Sequence, residues 1–176
     1  MIKTVDQLKD EWADREAIRD CLFRYSRGID RCDMDLLRSV YWPGAVDYHT
    51  GFTGTAEEFI AWAEPRLKAM AHNLHMIGNI LIRIDGDKAA VESYLWAVSV
   101  IDGEAGPRDV TTAGRYLDRF ERRGGEWRIA ERMVVHDWFR ETAESGDWRV
   151  GPFGMTGLEL GTSGRDDKSY GWLGLM

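Results

Sequence analysis

The residues best suited to proton transfer meet in the stretch 72–85, which reads HNLHMIGNILIRID. Apolar side chains alternate on both of its faces, which is typical of a strand buried on both sides. On one predicted face, His75 and Asn79 accompany Ile77 and Leu81. The other face is wholly apolar: Leu74, Met76, Ile80, Ile82 and Ile84. An imidazole among buried aliphatic side chains needs a polar partner, because an unpaired buried polar group is costly.

Asp30 is the candidate partner of His75. It follows the first predicted helix and is flanked by Ile29 and Cys32. A carboxylate beside a histidine holds one tautomer of the ring and stabilises the imidazolium, as a general base requires. The competing interpretations are a core histidine bonded to backbone or water and an aspartate in a solvated loop.

Two tyrosines and an arginine could complete such a site. Tyr25 lies five residues before Asp30, and Tyr48 lies near the end of the first predicted strand. A phenol can hydrogen-bond a substrate carbonyl or a developing enolate oxygen. Arg132 is predicted on one strand face with Ala130, Val134 and His136, and an inward arginine needs an anion or a carbonyl. The alternatives are core tyrosines and an outward-facing or interface salt bridge.

Other classes of function lack their signals in the sequence. A net charge of −7 argues against nucleic acid or an anionic membrane as the partner. His72 and His75 are predicted on opposite strand faces, and His49 and His136 add no recognisable ligand spacing, so no metal is expected. The two cysteines give no disulfide framework. The charged N-terminal segment and the lack of a long apolar run predict a cytoplasmic protein without a membrane span.

The elements that position these residues are predicted to be helices followed by long strands. Residues 4–28 form an amphipathic helix, with Thr4 as its cap and Gly28 at its end, and a short helix covers 33–40. A strand over 45–49 and a turn over 51–54 precede a helix over 55–70, which a capping box opens and Pro65 could kink. Hairpin signals join the strands 72–85, 89–101, 110–122 and 126–139 into an antiparallel meander.

At 176 residues the chain is expected to form one domain, of the α+β class because its helices precede its long strands. That domain covers residues 1–139. Residues 140–176 are glycine-rich, yet they carry Trp148, Phe153, Tyr170 and Trp172. A disordered tail would be poorer in aromatic residues. This extension is therefore predicted to pack on the domain, on a neighbouring subunit or over a pocket mouth.

Four segments carry a resemblance to a known family. They are DREAIRDCLFRYSRGIDRCDMDLLRSVYWPGAVDYH, HNLHMIGN, GRYLDRFERRGGEWRIAER and HDWF. Together they resemble the SnoaL-like branch of the nuclear transport factor 2-like superfamily over about residues 10–139. The pattern is most similar to its metal- and cofactor-free eliminating enzymes: bile-acid 7α-dehydratase, scytalone dehydratase and hexachlorocyclohexane dehydrochlorinase. The resemblance implies a cone of curved antiparallel sheet (an α+β barrel) wrapped by N-terminal helices, with the pocket inside, and commonly a trimer.

The resemblance also assigns roles to residues. It implies His75 as the base, Asp30 as its partner, and Tyr25 and Arg132 as further catalytic residues. Substrate-binding positions are implied at Tyr48, Trp96, Val98 and Tyr116. The hypothesis is a cofactor-free dehydratase acting on a hydrophobic polycyclic or aromatic hydroxy-carbonyl compound. One alternative is a ketosteroid-isomerase-like proton shuttle with Asp30 as its base. Another is a non-catalytic binding module or a ring-hydroxylating oxygenase β-like subunit, because this fold serves many functions.

Overall fold

The chain opens with helices. The computed structural model describes residues 4–103, 106–143 and 154–174, so Trp148 and Phe153 lie outside the described residues. Helix α1 (Val5–Asp30) begins at the predicted Thr4 cap, and α2 (Met34–Ser39) follows with Asp33 as its cap. Gly28 does not end α1, contrary to prediction. It is a point of close packing, because a Cβ there would lie 3.1 Å from the backbone of Leu37. Asp30 is consequently the last residue of the helix.

Six strands form one curved, unclosed sheet in the order β2-β1-β6-β5-β4-β3. They are β1 (Tyr41–His49), β2 (Phe52–Thr55), β3 (His72–Asp85), β4 (Lys88–Gly103), β5 (Gly106–Arg123) and β6 (Glu126–Ala143), with α3 (Ala56–Ala69) between β2 and β3. The predicted meander of β3 to β6 and the α+β class are confirmed. The turn predicted over 51–54 is wrong, because Phe52–Thr55 pairs with β1. Residues 42–44 interrupt the register of β1 rather than ending an element.

Two of the β-bulges in the sheet, one in β3 and one in β6, decide which side chains near the candidate site face the helices, here called the inner face; β6 has a further register shift at Asp137. In β3 an extra residue lies between the pairs Gly78–Tyr94 and Leu81–Glu92, and Asn79 adopts a φ of 47°. A bulge shifts the alternation by one residue, so side chains beyond it change face. His75 and Ile77 therefore share the inner face with Ile80, Ile82 and Ile84, whereas Leu74, Met76 and Leu81 are exposed on the outer face. The predicted faces of this strand were wrong after residue 78.

The second bulge lies in β6. Ile129 pairs with Phe120 and Glu131 with Arg119, which leaves Ala130 as the extra residue. Trp127 and Ile129 are consequently buried on the same face as Arg132, not on the alternate face predicted for them. The buried core of the molecule lies between this inner face and α1, α2 and α3.

The described part of the C-terminal extension packs on the corner between α1 and α2. Helix α4 (Lys168–Leu173) buries Tyr170, whose hydroxyl donates to Asp33 at 2.7 Å. Arg31 donates to the carbonyl of Thr162 at 2.8 Å and pairs with Asp167 at 3.1 Å. The extension is thus held against residues that directly follow Asp30.

Candidate active site

Asp30 and His75 are in direct contact. The Asp30 carboxylate accepts two hydrogen bonds from the same residue: Oδ1 lies 2.7 Å from His75 Nδ1, and Oδ2 lies 2.9 Å from the His75 backbone nitrogen. Asp30 is 8% exposed and the His75 side chain 15%. A proton on Nδ1 is required for that bond to an ionised carboxylate. The other ring nitrogen, Nε2, is thereby left as a lone-pair acceptor, which is the form a general base needs.

The place of each residue in the fold explains why they meet. β3 is an edge strand, so alternate backbone N–H groups have no partner strand. Asp30 takes one of them at His75. A carboxylate at the C-terminal end of a helix is unfavourable by about 0.3–1 kcal/mol, because it faces the negative end of the helix dipole. Asp30 therefore gains its stability from His75 and not from its own helix.

A cavity of about 340 Å³ opens beside Asp30. Asn73, Leu74 and Val98 contribute to its wall, and residues 159–163 of the extension close another side. A larger depression of about 470 Å³ lies on the outer face between Leu81 and Met133, and it contains neither member of the His–Asp pair. The cavity at Asp30 is the better candidate for a substrate site, because Asp30 lines it and His75, although outside that lining, is bonded to Asp30.

Arg132 lies elsewhere on the inner face and does not contact Asp30. It is fully buried and bound by Asp118 through two hydrogen bonds of 2.7 Å. Its guanidinium also lies between two aromatic rings, 3.9 Å from the centroid of Tyr25 and 4.1 Å from that of Tyr116. Burial alone would lower the pKa of Arg132, but the Asp118 carboxylate outweighs that effect and raises it. Arg132 is therefore a fixed cation that holds both tyrosines.

Tyr25 is buried within this cluster. Burial raises the pKa of its phenol well above the ordinary value, so the group keeps its proton and can donate it. Its hydroxyl lies 3.5 Å from Nε2 of His49. Tyr25 and Asp30 belong to the same helix, five residues apart, which corresponds to about 7.5 Å along the axis.

Three predicted substrate-binding residues do not face this interior. Tyr48 pairs with Met133 of β6, which is 46% exposed, and so points to the outer face. Trp96 is also outward, packed edge-on against Trp138 at 5.2 Å between ring centroids. Val98 pairs with Leu74 on that side, where both contribute to the wall of the cavity at Asp30. Tyr116 alone of the four lies on the inner face, where it contacts Tyr25.

Sequence reasoning missed a second His–Asp pair. Asp47 is fully buried; one of its oxygens contacts Nδ1 of His49, and the other accepts a hydrogen bond of 2.5 Å from Tyr41. The alternation Asp47-Tyr48-His49 could have revealed it, because residues two apart in a strand share a face. Tyr48, a residue predicted to bind substrate, lies on the opposite face of β1, which points away from the interior.

Neither pair gives a metal centre in the part of the chain that the structure describes. Within those residues there is no group of three or more His, Cys, Asp or Glu side chains that could hold an ion. The same residues include no helix that is long and apolar enough to cross a membrane.

Comparison with known proteins gives one family and one fold. A model of the SnoaL-like domain matches residues 10–133. An uncharacterized protein of Mycobacterium tuberculosis (strain H37Rv) is 32% identical over 127 residues, which is 70% of this chain and 85% of that protein.

Two solved structures show the same architecture at lower identity. A hexachlorocyclohexane dehydrochlorinase, LinA Type2, superposes with a TM-score of 0.72 at 23% identity, covering 83% of this chain and 98% of that one. A putative scytalone dehydratase from Novosphingobium aromaticivorans gives a TM-score of 0.68 at 18% identity, covering 85% and 99%. At these identities the likeness shows the fold, and activity has to be argued from the site.

Proposed function

The chain belongs to the SnoaL-like domain family, and we propose that within it this protein is a lyase that removes water from a hydrophobic hydroxy-carbonyl compound. The single observation that carries the proposal is the pair of hydrogen bonds that His75 donates to Asp30, one from its backbone nitrogen and one from Nδ1. It fixes the ring, sets the tautomer and leaves Nε2 able to accept a proton. Two structural neighbours with dehydratase and dehydrochlorinase names support the reaction class.

The reaction begins with proton abstraction. His75 Nε2 takes a proton from a carbon next to the substrate carbonyl, and Asp30 stabilises the imidazolium that results. The electron pair of the broken C–H bond moves toward the carbonyl and then forms the C=C bond as the C–O bond breaks. Tyr25 donates a hydrogen bond to the departing oxygen, and Arg132 positions Tyr25 from behind. The polycyclic or aromatic character of the substrate remains part of the proposal.

The same geometry disfavours Asp30 as a base in its own right. Both of its oxygens already accept hydrogen bonds from His75, so an approaching C–H group would have to displace one of them. A ketosteroid-isomerase-like shuttle needs a carboxylate that is free on the cavity side. The imidazole, with one nitrogen held and one open, is the better base here.

Two probes measure proton abstraction by the base and loss of water separately. 1-Tetralone has an acidic C–H group beside its carbonyl but no leaving group, and exchange of that hydrogen in D₂O is followed by NMR. 3-Hydroxy-1-tetralone can lose water to give 1-naphthol, which is followed by fluorescence. The wild-type protein is expected to catalyse both, and His75→Ala to lose about 10²–10⁴-fold in each.

The outcomes distinguish the competing functions. Exchange of 1-tetralone without loss of water from the hydroxy compound would indicate an isomerase. Binding of both probes without exchange would indicate a binding module. Retained turnover in a folded His75→Ala variant, checked by circular dichroism, would refute the assignment of the base.

A further inference from the structure

The second His–Asp pair lies on the same inner face as the proposed base and has the same internal arrangement. His49 Nδ1 contacts Asp47, whose other oxygen accepts from Tyr41. The imidazole stacks on Phe59 of α3, with 4.3 Å between ring centroids. These contacts fix the ring plane and leave Nε2 directed at the hydroxyl of Tyr25, 3.5 Å away. The His49 side chain is 18% exposed, so its proton can exchange with solvent.

An elimination of water needs an acid as well as a base, because hydroxide is a poor leaving group. Tyr25 can give its proton but, once buried as a phenolate, has to recover it from a neighbour. We propose that His49, held by Asp47, is the proton relay through which Tyr25 protonates a departing hydroxyl group. The inference rests on the proposed dehydratase function, and it assigns the two His–Asp pairs opposite tasks.

The proton count closes for this sequence of steps. His75 accepts the proton of the broken C–H bond. Tyr25 O–H gives its proton to the leaving oxygen as the C–O bond breaks, and His49 as imidazolium returns a proton from Nε2 to the phenolic oxygen. The products are water and the C=C bond, with His75 charged and His49 neutral. Exchange with solvent restores both rings.

Charged and titratable groups surround His49 on most of the elements packed against it. Asp47 lies on its own strand, Tyr25 comes from α1, and Tyr116 and Asp118 come from β5. β6 supplies His136 and, bound to Asp118, Arg132, whereas the contact from α3 is the uncharged Phe59. The pKa of His136 is lowered first by desolvation and then by the charge of His49. Asp47 is the nearest counter-charge for a His49 imidazolium.

A matched pair of leaving groups tests the relay. 3-Hydroxy-1-tetralone and 3-chloro-1-tetralone give the same product, 1-naphthol, but chloride departs without a proton. His49→Gln keeps an amide that can hydrogen-bond at this position but cannot carry a proton. In the His49→Gln variant we expect kcat for the hydroxy probe to fall by about 10²-fold. We expect kcat for the chloro probe to stay near the wild-type value.

A second measurement needs only the wild-type protein. The ratio of kcat/KM for the hydroxy probe to that for the chloro probe should fall as pH rises, because only the hydroxy probe needs a proton from the relay and the His75 base is common to both probes. Equal loss with both probes in a folded His49→Gln variant, no loss with either, or a pH-independent ratio would each overturn the relay and leave the dehydratase proposal standing. Turnover of the chloro probe alone by the wild-type protein would also overturn the relay. Turnover of neither by the wild-type protein would overturn the proposed function for this substrate class, and the relay with it.

Discussion

Replacing Asp30 by asparagine removes a charge from the His–Asp pair while preserving its shape. The carboxylate accepts from two donors, the His75 backbone N–H and the Nδ1–H group. Asparagine has only one oxygen. If that oxygen serves the backbone N–H, the amide NH₂ faces Nδ1, which must then be unprotonated, so the proton moves to Nε2 and the base is lost.

The opposite orientation of the amide is less favourable. It directs NH₂ at the backbone N–H of β3 and leaves a buried donor unpaired, at a cost of about 1–3 kcal/mol. That cost corresponds to roughly a 5- to 150-fold preference for the inactive tautomer. The imidazolium formed during reaction also loses its counter-charge. We therefore expect Asp30→Asn to lower the exchange rate of 1-tetralone by about 10²–10⁴-fold.

Two assays measure the effect of Asp30→Asn on the tautomer of His75 and on its activity as a base. ¹⁵N NMR of the imidazole reports which nitrogen carries the proton, and hydrogen exchange of 1-tetralone reports the base. Asp20→Asn is the matched control, since Asp20 is on the same helix but exposed and paired with Arg24. Two results would refute the reasoning from the hydrogen-bond pattern. One is an Asp30→Asn variant that carries its proton on Nε2 and still exchanges 1-tetralone at the wild-type rate. The other is a variant whose tautomer and activity are both unchanged.

Two further predictions concern the outer face and the extension. Leu74, Met76, Leu81 and Trp96 leave an apolar outer face exposed, and we expect it to join subunits, in a trimer by the family resemblance; Met76→Glu should lower the mass measured by light scattering, and a wild-type monomer would contradict this. The hydrogen bond from Ser169, followed by that from the Thr162 amide, holds the pKa of Asp167 well below its usual range. A lowered folded-state pKa stabilises the fold above the unfolded value of about 4 and ceases to do so as pH falls through the folded one. Asp167→Asn should therefore reduce the urea-unfolding free energy at pH 7 and lose its difference from wild type in strong acid; an equal difference at both pH values would contradict the assignment.

The sequence predicted the elements better than it predicted their faces. Capping residues at Thr4, Asp33 and Thr55 and the hairpin turns are local signals, and the helices and the β3–β6 meander follow from them. The bulge at Asn79 has a local signal in Gly78-Asn79, since a glycine within a strand pattern suggests a bulge, whereas the bulge at Ala130 has none. Each bulge inverts a strand beyond it, so Leu81, Trp127 and Ile129 were assigned to the wrong side. Register depends on the partner strand, which local sequence does not contain.

The contact between Asp30 and His75 depends on two features that burial patterns could not reveal. Asp30 is the last residue of α1, which continues past Gly28, where α2 packs closely. His75 has a free backbone N–H only because β3 is the edge of the sheet. An edge strand and a carboxylate at a helix C-terminus are both unfavourable alone. Joined, each satisfies the other, and the result is an oriented imidazole bonded to a carboxylate that lines a cavity. Because of that mutual dependence, replacing either residue should remove the base and leave a buried polar group of the other without its partner.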